Sequence, residues 1–352
     1  MIIFINTQKK GTAANTFFEG IINNSEKEVY FLKEKNKNLI YFIKLIKKLN
    51  FLFSKNDYNY TIVNDFGSFK NFLLMLFIKI KPDKVNIYTT FYHHIFTFKE
   101  CFIYFQFNEL WKFFSLKFYY ILEKYIKFKN IKFITVSHFT RNNMINNFSI
   151  NPKKIIVLWN QIMDIEIFRK TSFKNINRDG ESYILIISTL LIRKNIFLVN
   201  KLCNIYGRKI KFVCPSPKNY IERIKLNKLK KNSLKVYHDL DDKKLQELYS
   251  KASCILIPSL YEGLSLIPLE SINLSKPIIM SNIDPHLHWQ LPNEFYFEIN
   301  NLEDLLSKLN FYLNKGNSFV NYSAFMDFKD TFYAAQEERK QGLNLIYSKQ
   351  KL

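Results

Sequence analysis

Two carboxylates, Glu262 and Glu270, flank a glycine-bearing apolar turn in the stretch IPSLYEGLSLIPLESINLSKPIIMSN (257–282), with seven residues between them. A carboxylate accepts hydrogen bonds from vicinal hydroxyls, each such charged bond contributing about 1.5–3 kcal/mol. A sugar at one end of the turn and a ribose at the other would occupy both acids. The same residue types also allow a plainer reading, in which Glu270 complements a helix dipole and Glu262 is a solvated turn residue.

The elements around the pair favour a site. CILIPS (254–259) is an apolar strand ending at Pro258-Ser259, and LYEGLS is the turn leaving its carboxyl end. A helix is expected to start at Ser265 as N-cap, with Pro268 in its first turn, where a missing N–H costs nothing. Ligands of open α/β sheets bind outside the carboxyl ends of strands. The N–H groups of Ser265, Leu266 and Ile267 would there form an anion site suited to a diphosphate.

Strand-like apolar runs recur along the chain. IIFIN (2–6), TIVND (61–65), KVNIYTT (84–90), IKFITVS (131–137) and KIIVLWN (154–160) form one series. After the polar stretch 169–182 a second follows: YILIIS (183–188), KIKFVCP (209–215), LKVYHDL (234–240), CILIPS and PIIMSN (277–282). Continuous apolar strands alternating with helical segments imply parallel sheets covered on both faces, in two doubly wound halves. At 352 residues the chain exceeds one hydrophobic core, in keeping with two domains.

With 52 Lys+Arg against 30 Asp+Glu the formal charge is +22, which calls for an acidic partner or reflects a Lys- and Asn-rich composition. Cys101, Cys203, Cys214 and Cys254 form no C-x-x-C and read as free thiols of a reducing compartment. MIIFINTQKK has no basic residue before its apolar run, and no run reaches the roughly 18 residues of a spanning helix. The expectation is a cytoplasmic protein, at most peripheral on the inner face of the cytoplasmic membrane.

P-S-L-Y-E-G-L-S-L-I-P-L-E-S-I-N-L-S-K-P-I-I (258–279) resembles the E-x7-E signature of the retaining glycosyltransferases of family 4, glycosyl transferases group 1, which have the GT-B fold. The resemblance runs over roughly residues 2 to 313. It implies two Rossmann-like doubly wound domains facing a cleft, with a C-terminal helix crossing back to the first. The expected divisions are an acceptor-binding domain at 1–170, a nucleotide-sugar-binding domain at 171–328 and the returning helix at 329–352. It further implies that Glu262 meets the donor-sugar hydroxyls and Glu270 the nucleotide ribose, while Gly263, Leu264, Ser265, Leu266 and Ile267 line sugar and phosphate. Leu264 and Ser265 depart from the family's Phe and Gly, and Ser275 from its helix-ending Gly.

ILIISTLLIRKN (184–195) resembles the family's V-G-x-L-x-P-R-K-N, where a basic pair meets the diphosphate. Lys194 and Arg193 are the candidates, with Thr189 where many members have Arg. In the first half, QKKGTAAN (8–15) resembles a glycine-rich loop of which Gly11 remains. YTTFYHHIFTFKE (88–100) resembles V-T-x-H-D-L and nominates His93 beside the transferred sugar. ITVSHFTR (134–141) places Arg141 as a contact for donor phosphate or acceptor. DLDDKKLQELYSKASCILIPS (239–259) is assigned architecture and no chemistry.

LIYFIKLIKKLNFLFSK (39–55) and LWKFFSLKFYYILEKYIKFK (110–129) combine apolar residues at helical spacing with lysines, which suits either a core-facing helix or an anionic membrane surface. The resemblance implies a retaining transfer of a hexose, mannose among the candidates, from a GDP- or UDP-linked sugar to a glycan. That glycan is expected on a polyprenyl diphosphate or lipopolysaccharide core, in bacterial surface polysaccharide synthesis. Glu262, His93 and Lys194 carry the chemistry, and no metal is expected beside a basic diphosphate site. The rivals are another GT-B enzyme, such as a nucleotide-sugar epimerase, and a basic nucleic-acid-binding protein. No nucleic-acid-binding motif is present, so nucleic acid is not the expected partner.

Overall fold

The computed structural model describes residues 2–6, 20–21, 29–33, 60–65, 85–91, 98–103, 131–159, 182–299 except 218, 232–233 and 275, 301–315 and 322–348, with scattered positions in 43–51 and 110–114. The chain divides into one unit of Met1–Gln161 with Ala334–Leu352 and a second of Ile162–Tyr333.

In the first unit, β1 (Ile2–Asn6), β2 (Val29–Lys33), β3 (Tyr60–Asp65), β4 (Val85–Phe91), β5 (Ile131–Thr135) and β6 (Ile155–Val157) form a parallel sheet ordered β2-β1-β3-β4-β5-β6. Two of its helices are α1 (Phe98–Ile103) and α2 (His138–Phe148). Ser137 begins α2 as N-cap, its hydroxyl accepting from Thr140 N–H at 3.2 Å.

The second unit runs β7 (Ile184–Ile187), α3 (Ile196–Tyr206), β8 (Ile210–Cys214), α4 (Tyr220–Lys230), β9 (Lys235–His238), α5 (Asp242–Lys251), β10 (Cys254–Ile257), α6 (Ile267–Asn273), β11 (Ile278–Ser281), α7 (Asp284–Leu287), β12 (Tyr296–Phe297) and α8 (Leu302–Lys315). Its parallel sheet is ordered β12-β11-β10-β7-β8-β9. In sequence terms this is the 3-2-1-4-5-6 order of dinucleotide-binding folds, with the switch point between β7 and β10. Ile184, Ile186, Leu256 and Ile279 from three adjacent strands, with Phe212 and Leu305, sit in its apolar core. Strands buried on both faces explain why their sequences are unbroken apolar runs. The doubly wound class read from the sequence is the observed one.

The last helix, α9 (Tyr322–Ser348), returns to the first unit. Glu338 accepts from Trp159 Nε1 at 2.7 Å and pairs with His138 Nε2 at 2.9 Å. Buried Arg339 donates to the Trp159 carbonyl and Tyr347 to that of Ile21. A Cβ on Gly342 would lie 3.1 Å from both the Val157 carbonyl oxygen and Leu158 Cδ1, so the close approach of helix to strand favours glycine there.

Two strands escape the sequence reading, β2 and β12. VYFLK of β2 is a short run between charged residues, and β12 has only two residues. The expected N-cap also moves: α6 starts at Ile267, and its cap is Leu266 with φ −89° and ψ −19°. Leu266 is already helical, so Ser265 stays in the turn, where it is buried and caps nothing. As expected, Pro268 lies in the first turn and brings no N–H.

Candidate functional site at the switch point of the second sheet

Two loops leave the carboxyl ends of β7 and β10, neighbours in the sheet. After β7 the chain makes a 3₁₀ turn over Ile192–Lys194, and Asn195 takes the left-handed conformation at φ 54°. Asparagine tolerates that region better than most residues. Its side chain also accepts from Leu198 N–H at 3.3 Å, so the same residue ends the turn and caps α3. The turn is tied to the acidic loop by Leu260 N–H donating to the Arg193 carbonyl at 2.8 Å.

This tie sets Arg193 and Lys194 against Glu262. Arg193 Nη1 lies 3.2 Å from Glu262 Oε2, and Lys194 Nζ pairs with Oε1. The Glu262 side chain is only 6% exposed, and those of Arg193 and Lys194 are 20% and 13% exposed. Ser259 donates a third bond, Oγ to Oε1 at 2.8 Å. Burial alone would push the Glu262 carboxyl up. Lys194 and Arg193, helped by His286, overcome it and hold the group at about 2. Burial lowers the Lys194 ammonium below its ordinary value, against the pull of Glu262. The result is a carboxylate with two cations crowded on it, a net positive cluster at a strand end.

Glu270 sits one helical turn into α6, with a different partner. Tyr249, from the last turn of α5, donates to Glu270 Oε2 at 2.5 Å. Burial raises the Glu270 carboxyl and the Tyr249 bond opposes the rise. Its second oxygen is suited to accept from a hydroxyl. Between the two acids, Gly263 and Ser265 are buried, while Leu264, Leu266 and Ile267 are partly so. Thr189 Oγ1 is buried with no hydrogen-bond partner among the described residues, a polar atom suited to a ligand.

Arg141 lies on α2 in the first unit, partly buried. His93 and Gly11 lie outside the described residues, as does most of 39–55 and 110–129. Asp239 and Asp241 have Asp-x-Asp spacing, but each is engaged locally. Asp239 receives the Ser216 N–H at 3.2 Å, and Asp241 caps α5 through Lys244 N–H at 2.8 Å. All four cysteines are buried thiols outside any disulfide, and burial pushes Cys203 and Cys254 up to about 12.

Sequence reasoning missed Tyr249, Ser259, Ser281 and His286. Tyr249 belongs to the segment assigned no chemistry, and nothing in its neighbours signals that it reaches Glu270. Ser259 stands inside the P-S of the signature, where its sequence context marks only the strand end.

Comparison with known proteins comes from three directions. Residues 168–324 match the family described as glycosyl transferases group 1. The O-antigen chain mannosyltransferase RfbU of Salmonella typhimurium is 26% identical over 151 residues, 42% of this chain and 40% of that protein. The chain thus matches about two fifths of its curated relative's length. A glycosyltransferase from Rickettsia africae superposes with a TM-score of 0.66 at 15% identity, covering 98% of both chains. Anabaena Alr3699/HepE in complex with UDP-glucose does so with 0.66 at 10% identity, covering 99% of both. Those likenesses concern the fold.

Proposed function

We propose, for a GT-B chain whose residues 168–324 match the glycosyl transferases of group 1, a retaining transfer of a hexosyl group from a nucleoside diphosphate sugar to a glycan hydroxyl. The observation that carries the reading is the buried Glu262 with Arg193 and Lys194 at the switch point of the second sheet. In the reaction the anomeric C–O bond to the diphosphate breaks as the acceptor oxygen bonds to the same carbon. The acceptor proton leaves with the diphosphate or passes to solvent. Charge therefore grows on the departing phosphate, and fixed cations beside it favour that state. Lys194 and Arg193 serve there, with what amides the start of α6 offers. Glu262 orients the sugar, and Glu270 receives the ribose.

Acceptor attack on the leaving-group face needs no protein nucleophile, so none is assigned. The likeness to an O-antigen mannosyltransferase supports a GDP-mannose donor and a lipopolysaccharide-type acceptor, with UDP-sugars as the alternative. The test is release of nucleoside diphosphate from GDP-mannose and UDP-glucose with and without a polyprenyl-diphosphate-linked glycan. Acceptor-dependent release is expected. A product isomerised without acceptor would instead favour an epimerase.

A lipid-linked acceptor is supported by the first unit's surface. Ile43, Phe51 and Phe114 are 45%, 57% and 55% exposed, and Lys44 and Lys47 are exposed beside Ile43. Among the described residues no helix is long and apolar enough to cross a membrane, so contact would be peripheral. Each lysine near an anionic surface adds about 1 kcal/mol. Flotation with anionic liposomes is expected to show binding that high salt reverses, and its absence removes the membrane reading.

A further inference from the structure

His286 lies in α7, beyond the strand that follows the signature, and its imidazole is fully buried. Nδ1 is 2.8 Å from the Ser281 carbonyl oxygen and 3.3 Å from Ser281 Oγ. A carbonyl can only accept, so Nδ1 carries the proton and Nε2 is a bare lone pair. That Nε2 is buried and has no hydrogen-bond partner among the described residues. Burial, against the pull of Glu262, pushes the imidazole down to about 4, so it is neutral at pH 7. The turn bearing it is itself fixed, because Tyr296 donates to the His286 carbonyl at 3.1 Å while accepting from Leu291 N–H at 3.0 Å.

From His286 a chain of buried bonds leads to the acid. Ser281 Oγ shares the Nδ1–H with the carbonyl of its own residue, as the longer branch, and donates to the Ser259 carbonyl, 2.5 Å away on the adjacent strand end. Ser259 Oγ donates in turn to Glu262 Oε1. Ser281 and Ser259 are both at most 1% exposed, so water does not compete for these bonds. The pairing Ile257↔Met280 between β10 and β11 is what brings the two serines together.

We propose that His286 is a positioning residue for Glu262, acting through Ser281 and Ser259. The proposal rests on the reading of Glu262 as a donor-sugar contact. Arg193 and Lys194 hold the carboxylate from one side, and they are on long side chains that a diphosphate would draw away. The serine chain holds it from the other side, fixed to the sheet. With it intact, Glu262 keeps its place when the cations move to phosphate. The imidazole directs Ser281's hydroxyl proton toward Ser259 by occupying its lone pair, a task that requires a donor at the Nδ1 position.

Asparagine places an amide N–H near imidazole Nδ1, whereas glutamine reaches the Nε2 position. Wild type, His286→Asn, His286→Gln and Ser281→Ala are titrated with GDP, UDP, GDP-mannose and UDP-glucose by calorimetry. The readout is the affinity that the sugar adds to that of the matching diphosphate. That increment is expected to fall about tenfold in Gln and in Ser281→Ala, as for loss of a hydrogen bond to a charged group. Asn should retain it within about threefold, and all variants should bind free diphosphate within about threefold of wild type. Equal loss in Asn and Gln, or parallel loss of diphosphate affinity, overturns the proposal while leaving the donor reading in place. If the His286 variants do not fold, Ser281→Ala decides alone, an unchanged increment overturning it. Wild type that binds none of the four overturns the donor reading and the brace with it.

Discussion

Glu262 and Glu270 are the same residue type, at the two ends of one turn, and the protein treats them oppositely. At the Glu262 end Lys194 and Arg193, helped by His286, overcome burial and hold the carboxyl at about 2. At the Glu270 end burial prevails, the carboxyl rises, and its side-chain partner among the described residues is the Tyr249 hydroxyl. The cause lies in topology. Glu262 follows β10, beside β7 and its basic turn, whereas Glu270 points from α6 to α5, which presents a tyrosine. One end is thus built to meet charge and the other to meet a neutral hydroxyl. A donor whose diphosphate lies toward Lys194 and whose ribose lies toward Tyr249 matches this polarity.

The largest expected difference between the ends is catalytic. Glu262→Ala and Lys194→Ala should each lower transfer about 10³-fold, since they remove charge where charge develops. Glu270→Ala should cost about tenfold, mostly in donor KM, because a ground-state hydroxyl contact is lost. Circular dichroism checks that the folds survive. Wild-type turnover in the first two variants, or an equal loss in all three, erases the contrast.

Stability should separate them with opposite sign. The folded pKa of Glu262 lies below its unfolded value near 4.5, so its contribution is present above pH 4.5 and lost as pH falls toward 2. Glu270 has a raised folded pKa, so its ionisation works against the fold, a cost absent at low pH that grows as pH rises through 4.5 to the folded value. At neutral pH Glu262→Gln should therefore lose about 3 kcal/mol, two buried cations being left on a neutral amide. Glu270→Gln, which still accepts from Tyr249, should raise the Tm. Melting curves from pH 3 to 8 check both signs, and a drop in both variants at pH 7 contradicts the contrast.

The same division governs what the sequence could reveal. Residues 254–259 and 184–187 read as buried strands because both faces of a parallel sheet are covered. β2 and β12 did not, because VYFLK is a short run set between charged residues and β12 has two residues. Arg193, Lys194 and Glu262 could be nominated because their stretches, at the carboxyl ends of apolar runs, resemble a family's signatures. Their pairing depends on β7 lying next to β10, which no local pattern states. Tyr249, Ser281 and His286 are ordinary residues for a helix, a strand end and a turn. Their roles arise only from cross-strand register and from where α5 meets α6. Ser265 was expected at a cap because serine favours one, but the helical angles of Leu266 displaced the cap by a residue.

The smallest expected effect concerns what Glu262 does to its own cations. With Arg193 and Lys194 both on one buried carboxylate, an incoming diphosphate must compete with it for them. Replacing the acid by its neutral isostere leaves the cations in place and removes the competitor. Glu262→Gln should then bind free GDP or UDP about tenfold more tightly than wild type, although it transfers no sugar, a gain set by charge-assisted bonds to phosphate. Glu270→Gln, with no cation to release, should leave that affinity unchanged within about twofold. Since the affinity gained is electrostatic but partly shielded from solvent, it should persist at 0.3 M salt, where an exposed ion pair would be screened. Calorimetric titration at two salt concentrations measures it. Weaker binding by Glu262→Gln would mean that the carboxylate holds the cations in their phosphate-binding places, making Glu262 a support for that site where this comparison makes it a rival.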